Sequence, residues 1–291
     1  MEWEKQIKLN TPYDFDYALS RLAFDTLNQV DLLNKQVTIP IRFENNKTTV
    51  TVQSIGTIHQ PLFKVKGKDR DKQLDIQKQV NGIFAWDQDL ATVKSFFASS
   101  SIDKLFKKFP YTPIVREFDL FGSLMKTIIH QQLNMSFAQT LTSRFVEKYG
   151  EKYQGVWFYP TAEQVASIPY EDLQKMQFSR RKAEYVVDTA KLVADGSINF
   201  ISLSSQTNDE IIAQLTKVRG IGAWTVQNWL MFGLGRKDLF PVSDIGILNA
   251  LRYDKGFEHK PSKDTVYEWS KEWSPYRSYA AMTLWRSIED Q

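Results

Sequence analysis

The sequence predicts an α+β amino-terminal region built on an antiparallel sheet, followed by a body made of helices. Three observations predict it. Apolar residues alternate with period two only within residues 1–68. From residue 69 onward they recur at helical spacing between turn residues. Between two of those later helices sits Gly220-Ile221-Gly222, a glycine hairpin with no gap before the next helix.

The elements follow in order. Thr11-Pro12 opens a short helix over 13–22. Residues 36–43 alternate, with Val37, Ile39, Ile41 and Phe43 on one face. Asn45-Asn46 is a turn signal, 48–52 alternates again, and 61–65 gives another strand. Pro40 cannot donate to a ladder, so it predicts an edge or a bulge. Helices are then predicted over 74–84, 90–97, 102–109, 114–132, 136–149, 161–168, 170–176 and 179–195, and further on over 208–217, 222–232, 244–252, 262–273 and 276–288. Gly196-Ser197, Gly233 to Gly235 and Pro261 punctuate them. No strand pattern of comparable quality interrupts the run, and no internal repeat is visible. The change of texture divides the chain into a sheet domain, 1–68, and a helical domain, 69–291.

Bulk properties exclude several kinds of chemistry. There are no cysteines, hence no disulfide, thiol nucleophile or Cys-ligated metal. The three histidines, His59, His130 and His259, are too widely spaced to suggest a metal site. A net charge of +3 is compatible with a polyanionic partner without identifying one. Lys104, Lys107 and Lys108, and the run Arg180-Arg181-Lys182, each read on their own as a solvated helix face. Met1 to Lys5 is charged, with no signal core, and no stretch is apolar enough for a membrane span. The expectation is an intracellular protein, without membrane contact, acting as a monomer.

Two features point to chemistry. The glycines of Gly220-Ile221-Gly222 remove side chains from a tight turn, so its backbone can meet another molecule. The helix that follows presents free N–H groups and a positive dipole end, which suits a phosphate. A plain helix connection with a glycine cap has the same sequence when the hairpin is taken alone. Asp244 stands 22 residues beyond Gly222 (244 − 222 = 22), within Phe240-Pro241-Val242-Ser243-Asp244-Ile245-Gly246. Ser243 or Asp244 suits the N-cap of 245–252. A helix start favours the ionised carboxylate. A fixed anion is what an oxocarbenium-like sugar needs, and it can orient an attacking water.

With these residues in place, the chain resembles the helix-hairpin-helix base-excision DNA glycosylases, and within them the 3-methyladenine DNA glycosylase II group. Three further segments carry the resemblance. They are Pro12-Tyr13-Asp14-Phe15-Asp16-Tyr17, then Ile128-Ile129-His130-Gln131-Gln132-Leu133 followed by Ala138 and Leu141-Thr142, and Trp273-Ser274-Pro275-Tyr276-Arg277-Ser278-Tyr279-Ala280. The matches occur in the family's order along nearly the whole chain.

The resemblance implies a helical glycosylase core of two lobes flanking a cleft, and roles for single residues. Asp244 matches the catalytic aspartate. Gly220, Ile221, Gly222 and Thr225 would contact the DNA backbone. The carbonyls of Thr216, Val218 and Ile221 would hold a sodium or potassium ion when DNA is bound, and no other cofactor is implied. Gln132 and Leu133 match the wedge that fills the gap left by an extruded base. Left alone, Gln131-Gln132 reads as an exposed helix end. Trp224, Trp285 and Tyr279 match the base pocket. Asn228 stands where the group has a tyrosine, and Arg21 near where it has an aromatic, so the pocket is expected to be more polar. Members that also cut the strand have a lysine at the Trp224 position, which forms a Schiff base. Tryptophan there implies a monofunctional enzyme that uses water. The implied partner is double-stranded DNA with damaged bases, and the implied reaction is release of alkylated purines of the 3-methyladenine and 7-methylguanine type. An oxidised-purine glycosylase and a non-catalytic hairpin module are the competing readings.

Overall fold

The structure, a computed structural model, describes residues 2–43 and 46–289. Half of the expected Asn45-Asn46 turn therefore lies outside the described residues. The chain opens with β1 (Trp3–Lys8), α1 (Phe15–Ala23), β2 (Gln29–Asp31), β3 (Gln36–Phe43), β4 (Asn46–Ser54) and β5 (Leu62–Gly67). The five strands form one antiparallel sheet in the order β1-β5-β4-β3-β2. The alternation expected for β3 is real, since Val37, Ile39 and Ile41 are fully buried. β2 reaches only as far as Thr38 of β3, so Pro40 falls where no β2 residue needs its missing N–H.

The helical body comprises α2 (Gln73–Phe84), α3 (Leu90–Phe96), α4 (Asp103–Lys108), α5 (Leu120–His130) and α6 (Met135–Tyr149). A small hairpin follows, β6 (Glu151–Tyr153) and β7 (Val156–Phe158). Then come α7 (Ala162–Ala166), α8 (Tyr170–Lys175), α9 (Arg180–Ala194), α10 (Phe200–Ser204), α11 (Asn208–Leu215), α12 (Ala223–Phe232), α13 (Ile245–Lys255), α14 (Lys263–Ser270) and α15 (Arg277–Glu289).

Two expectations are corrected. The helix expected over 114–132 begins only at Leu120, because Asp119 caps it by accepting from the N–H groups of Phe121 and Gly122. The residues from Thr112 to Glu117 form neither helix nor strand. The second is the β6–β7 hairpin, whose three-residue strands are too short to show alternation.

Sheet and helices share one apolar core. Phe63 of β5 stacks on Trp86 at 4.5 Å, and Phe15 of α1 lies 5.6 Å from Phe84 of α2. Each such ring, fully buried, stabilises the fold by roughly 1.5–3 kcal/mol. At the same junction Lys126 of α5 is held between Asp25 at 2.8 Å and Glu117 at 2.9 Å. Burial opposes its charge, but the two carboxylates outweigh that and hold its pKa well above the ordinary lysine value. Among the described residues, no helix is long and apolar enough to cross a membrane.

Candidate active site

The hairpin is built from three local devices. α11 ends at Leu215 with Thr216 as its cap, and the fully buried Leu215 and nearly buried Ile221 anchor the turn in the core. Gly220 adopts φ +90°, and a Cβ there would sit 2.2 Å from the ring of Tyr185 on α9, so no other residue fits. α12 then starts with Gly222 as an N-cap that has no side chain to offer. Its first-turn N–H groups consequently lack a side-chain acceptor. Among the described residues, its chain neighbours aside, nothing lies within 4 Å of a Cβ built on Gly222, so that position faces open space.

Asp244 is the N-cap of α13, and its Oδ1 accepts from the N–H of Ile247 at 3.0 Å. The same Oδ1 accepts from Trp285 Nε1 at 2.9 Å, and Oδ2 accepts from Trp224 Nε1 at 2.9 Å. α12, α13 and α15 thus converge on one carboxylate. Gly246 permits this crowding. A Cβ on it would lie 3.0 Å from Asp244 Oδ1 and 3.1 Å from the Trp285 ring. An indole N–H donates and cannot accept, so both tryptophans meet Asp244 as donors to its carboxylate oxygens. A carboxylate has about four lone-pair sites, of which three are used here, leaving one on Oδ2.

Trp285 lies 5.9 Å from Phe232, and the Arg21 guanidinium stands 5.5 Å over that ring. Arg21 is tied back to Glu289 at 2.8 Å. Trp224 and Trp285 thus border Asp244 directly, and Phe232 and then Arg21 extend outward from Trp285. Phe232 and Glu289 were not among the expected residues, and nothing in their local sequence marks them. Asn228 is buried, and its amide nitrogen donates to the Trp224 carbonyl at 2.8 Å, an i to i−4 contact within α12.

Two of the expected residues have other partners in the structure. Tyr279 is buried beside Tyr276, Tyr13 and Asp87. It precedes Trp285 by six residues on α15 (285 − 279 = 6), which turns it to a different face of the helix. Thr225 is buried, and its hydroxyl accepts from Gln131 Nε2 at 2.7 Å.

Gln131 is not simply an exposed helix end. Its amide donates both to Thr225 and to the Gly220 carbonyl at 2.8 Å, joining the end of α5 to the hairpin. Gln132 beside it is exposed with φ +56°, and Leu133 is half-buried against the core. Of the hairpin carbonyls expected to hold a cation, that of Val218 also accepts from the N–H of Ile221 at 3.0 Å. Among the described residues no group of three acidic or histidine side chains is placed to hold a metal.

The two basic clusters part company. Lys107 pairs with Asp103 within α4 as an ordinary helix-face contact. The α9 cluster instead borders the hairpin. Glu184 binds both Arg180 and Arg219, and Arg219 lies 5.4 Å over the Tyr185 ring. Two further clefts open around Glu117 to Asp119 at the sheet junction, and Asp244 lines neither.

This hairpin and carboxylate fall within a recognised family pattern. Residues 125–275 match the model for HhH-GPD superfamily base excision DNA repair proteins. A putative DNA-3-methyladenine glycosylase of Bacillus subtilis is 44% identical over 288 residues, covering 99% of this chain and 100% of that protein. Among solved structures, a 3-methyladenine DNA-glycosylase from Archaeoglobus fulgidus superposes with a TM-score of 0.85 at 20% identity, covering 98% of each chain. An 8-oxoguanine glycosylase/lyase of Clostridium acetobutylicum, in complex with double-stranded DNA, gives 0.77 at 20% identity, covering 100% of this chain and 98% of that one. The chain belongs to the HhH-GPD superfamily of base excision DNA repair proteins.

Proposed function

We propose that this protein is a monofunctional DNA glycosylase that hydrolyses the N-glycosidic bond of alkylated purines in double-stranded DNA, acting as a monomer. One observation carries the reading. The Asp244 carboxylate is fixed by two indole N–H groups and one backbone N–H, and Trp224, at the position where strand-cutting members have a lysine, carries no amine that could form a Schiff base with the sugar. In this mechanism the base leaves while positive charge grows on the sugar, and Asp244 stabilises it as a preorganised anion. The free lone pair on Oδ2 orients the water that adds to C1′.

The hairpin's role follows from its chemistry. The main-chain N–H groups at Gly220 to Gly222 and the start of α12 bind a phosphate beside the lesion. When DNA is bound, the carbonyls of Thr216, Val218 and Ile221 take a sodium or potassium ion, with no part in bond cleavage. The extruded base stacks against Trp224 and Trp285, with Gln132 and Leu133 filling its place in the duplex. N-alkylation makes a purine cationic, and each indole face favours a cation by roughly 0.5–2 kcal/mol. Residues 1–68 serve as a sheet domain that carries Arg21 to the helical domain 69–291, whose two lobes border the cleft.

The likeness to the putative DNA-3-methyladenine glycosylase of B. subtilis supports this substrate class. The fold match to an 8-oxoguanine glycosylase/lyase favours the second reading, oxidised purines, which the same assay separates. The test is release of bases from duplex DNA carrying either methylated purines or 8-oxoguanine, with borohydride present. Release of methylpurines without a covalent DNA adduct is expected. Release of 8-oxoguanine with an adduct would overturn the reading.

A further inference from the structure

The turn between α5 and α6 is held by contacts that bond cleavage does not require. Lys182, third in the run Arg180-Arg181-Lys182, behaves unlike its neighbours. Arg180 is largely exposed and pairs with Glu184, and Arg181 is exposed. The Lys182 ammonium turns inward. It donates to the carbonyl of Ile128 at 2.9 Å and to that of Gln131 at 3.0 Å. These carbonyls lie at the carboxyl end of α5, where a cation is favoured.

The very next residue is Gln132, with φ +56°. A side-chain-bearing residue in that region is strained, and it persists only where its surroundings over-determine it. The surroundings here are Lys182 on one side and the Gln131 amide on the other, the latter bonded to Gly220 and Thr225. Between them they clamp the turn to both α9 and the hairpin, while leaving the Gln132 side chain exposed.

Resting on the glycosylase reading above, we infer that Lys182 is a positioning residue for base extrusion. Its ammonium holds the α5–α6 turn so that Gln132 projects, already strained into place, toward the duplex. The residue touches neither the base nor the sugar. Its removal raises the cost of filling the gap in a paired duplex, and leaves cleavage of a base that is already unpaired largely untouched.

The experiment compares release of 7-methylguanine from a paired duplex with release from the same lesion in a single-nucleotide bulge. Wild type, Lys182→Met and Lys182→Arg are assayed at matched folding, judged by melting curves. Lys182→Met should lose about tenfold or more on the paired site and under about threefold on the bulge, and Lys182→Arg should recover most of the loss. If Lys182→Met is unfolded at the assay temperature, Lys182→Gln is held to the same criteria. Gln132→Ala should lose paired-site activity to a similar extent, and adding Lys182→Met to it should cost little more, because the two act through one device. Equal losses on both substrates, no loss, or losses that multiply would overturn the positioning role. No release by wild type from either substrate removes the glycosylase reading and this inference with it.

Discussion

Gly246→Ala separates a carboxylate that works from one that merely caps. Gly246 is the second residue of α13, and its φ is not in the left-handed region. On propensity alone, alanine in a helix is favoured over glycine by up to about 1 kcal/mol. The added Cβ, however, would lie 3.0 Å from Asp244 Oδ1 and 3.1 and 3.2 Å from Cδ1 and Nε1 of Trp285. Comfortable contact begins near 3.4 Å, so the carboxylate or the indole must give by up to 0.4 Å (3.4 − 3.0 = 0.4). That displacement acts directly on the 2.9 Å hydrogen bond between them. Stability should therefore stay within about 1 kcal/mol of wild type, the two terms opposing each other. A misplacement of about 1 Å at a reacting centre can cost a hundredfold, so several tenths should cost roughly tenfold in single-turnover base release. Thermal melting and single-turnover release on the same sample are the assay. A variant as stable as wild type that releases base at the wild-type rate would refute the reasoning, since Asp244 would then need only to cap α13.

Other perturbations test neighbouring parts of the account. Trp224→Phe keeps a ring but removes the donor to Asp244 Oδ2, a hydrogen bond to a charged group worth about 1.5–3 kcal/mol. Base release should fall roughly ten- to a hundredfold, and an unchanged rate would remove Trp224 from the site. Gln131→Leu leaves the buried Thr225 hydroxyl without its partner, costing about 1–3 kcal/mol by denaturant melting. It should also weaken binding to undamaged duplex, because the hairpin loses its tie to α5. His130 is half-buried and hydrogen-bonds Thr142, and burial of its ring, aided by Lys126, pulls its pKa from 6.5 down to about 3. As pH falls, the unfolded chain takes up that proton first. Stability is thus complete above about pH 6.5 and declines toward pH 3, by at most about 1.4 kcal/mol per unit. His130→Gln should flatten that part of the curve of melting temperature against pH, and an unaltered curve would show that His130 does not govern it.

The sequence revealed what is local. The hairpin with its two glycines, the N-cap at Asp244 and the alternation of β3 depend on residues a few positions apart, and each reappears where its pattern falls. Hidden from it were arrangements made by distant partners. Gln131 looks like any polar residue at a helix end, yet its acceptors lie 89 and 94 positions away. Lys182 belongs to a run that resembles a solvated face, and only the three-dimensional path turns its ammonium onto α5. Tyr279 was expected at the pocket because of its neighbours in the chain. Six residues of helix set it on a different face from Trp285, beside Tyr276, a contact that its own stretch of sequence does not show. The start of α5 at Leu120 was not legible because Ile114, in the irregular segment before Asp119, is buried as a helix residue would be.

The most direct test is base release from methylated duplex DNA by wild type and by Asp244→Asn, compared at matched folding and DNA affinity. In the variant an amide NH2 must face one of the three N–H donors around Asp244, so a stability loss of about 1–3 kcal/mol is expected and the assay must run below its melting transition. The account predicts methylpurine release by wild type and a loss of about a hundredfold or more in Asp244→Asn. A folded, DNA-bound Asp244→Asn that releases methylpurines at a near-wild-type rate would contradict it.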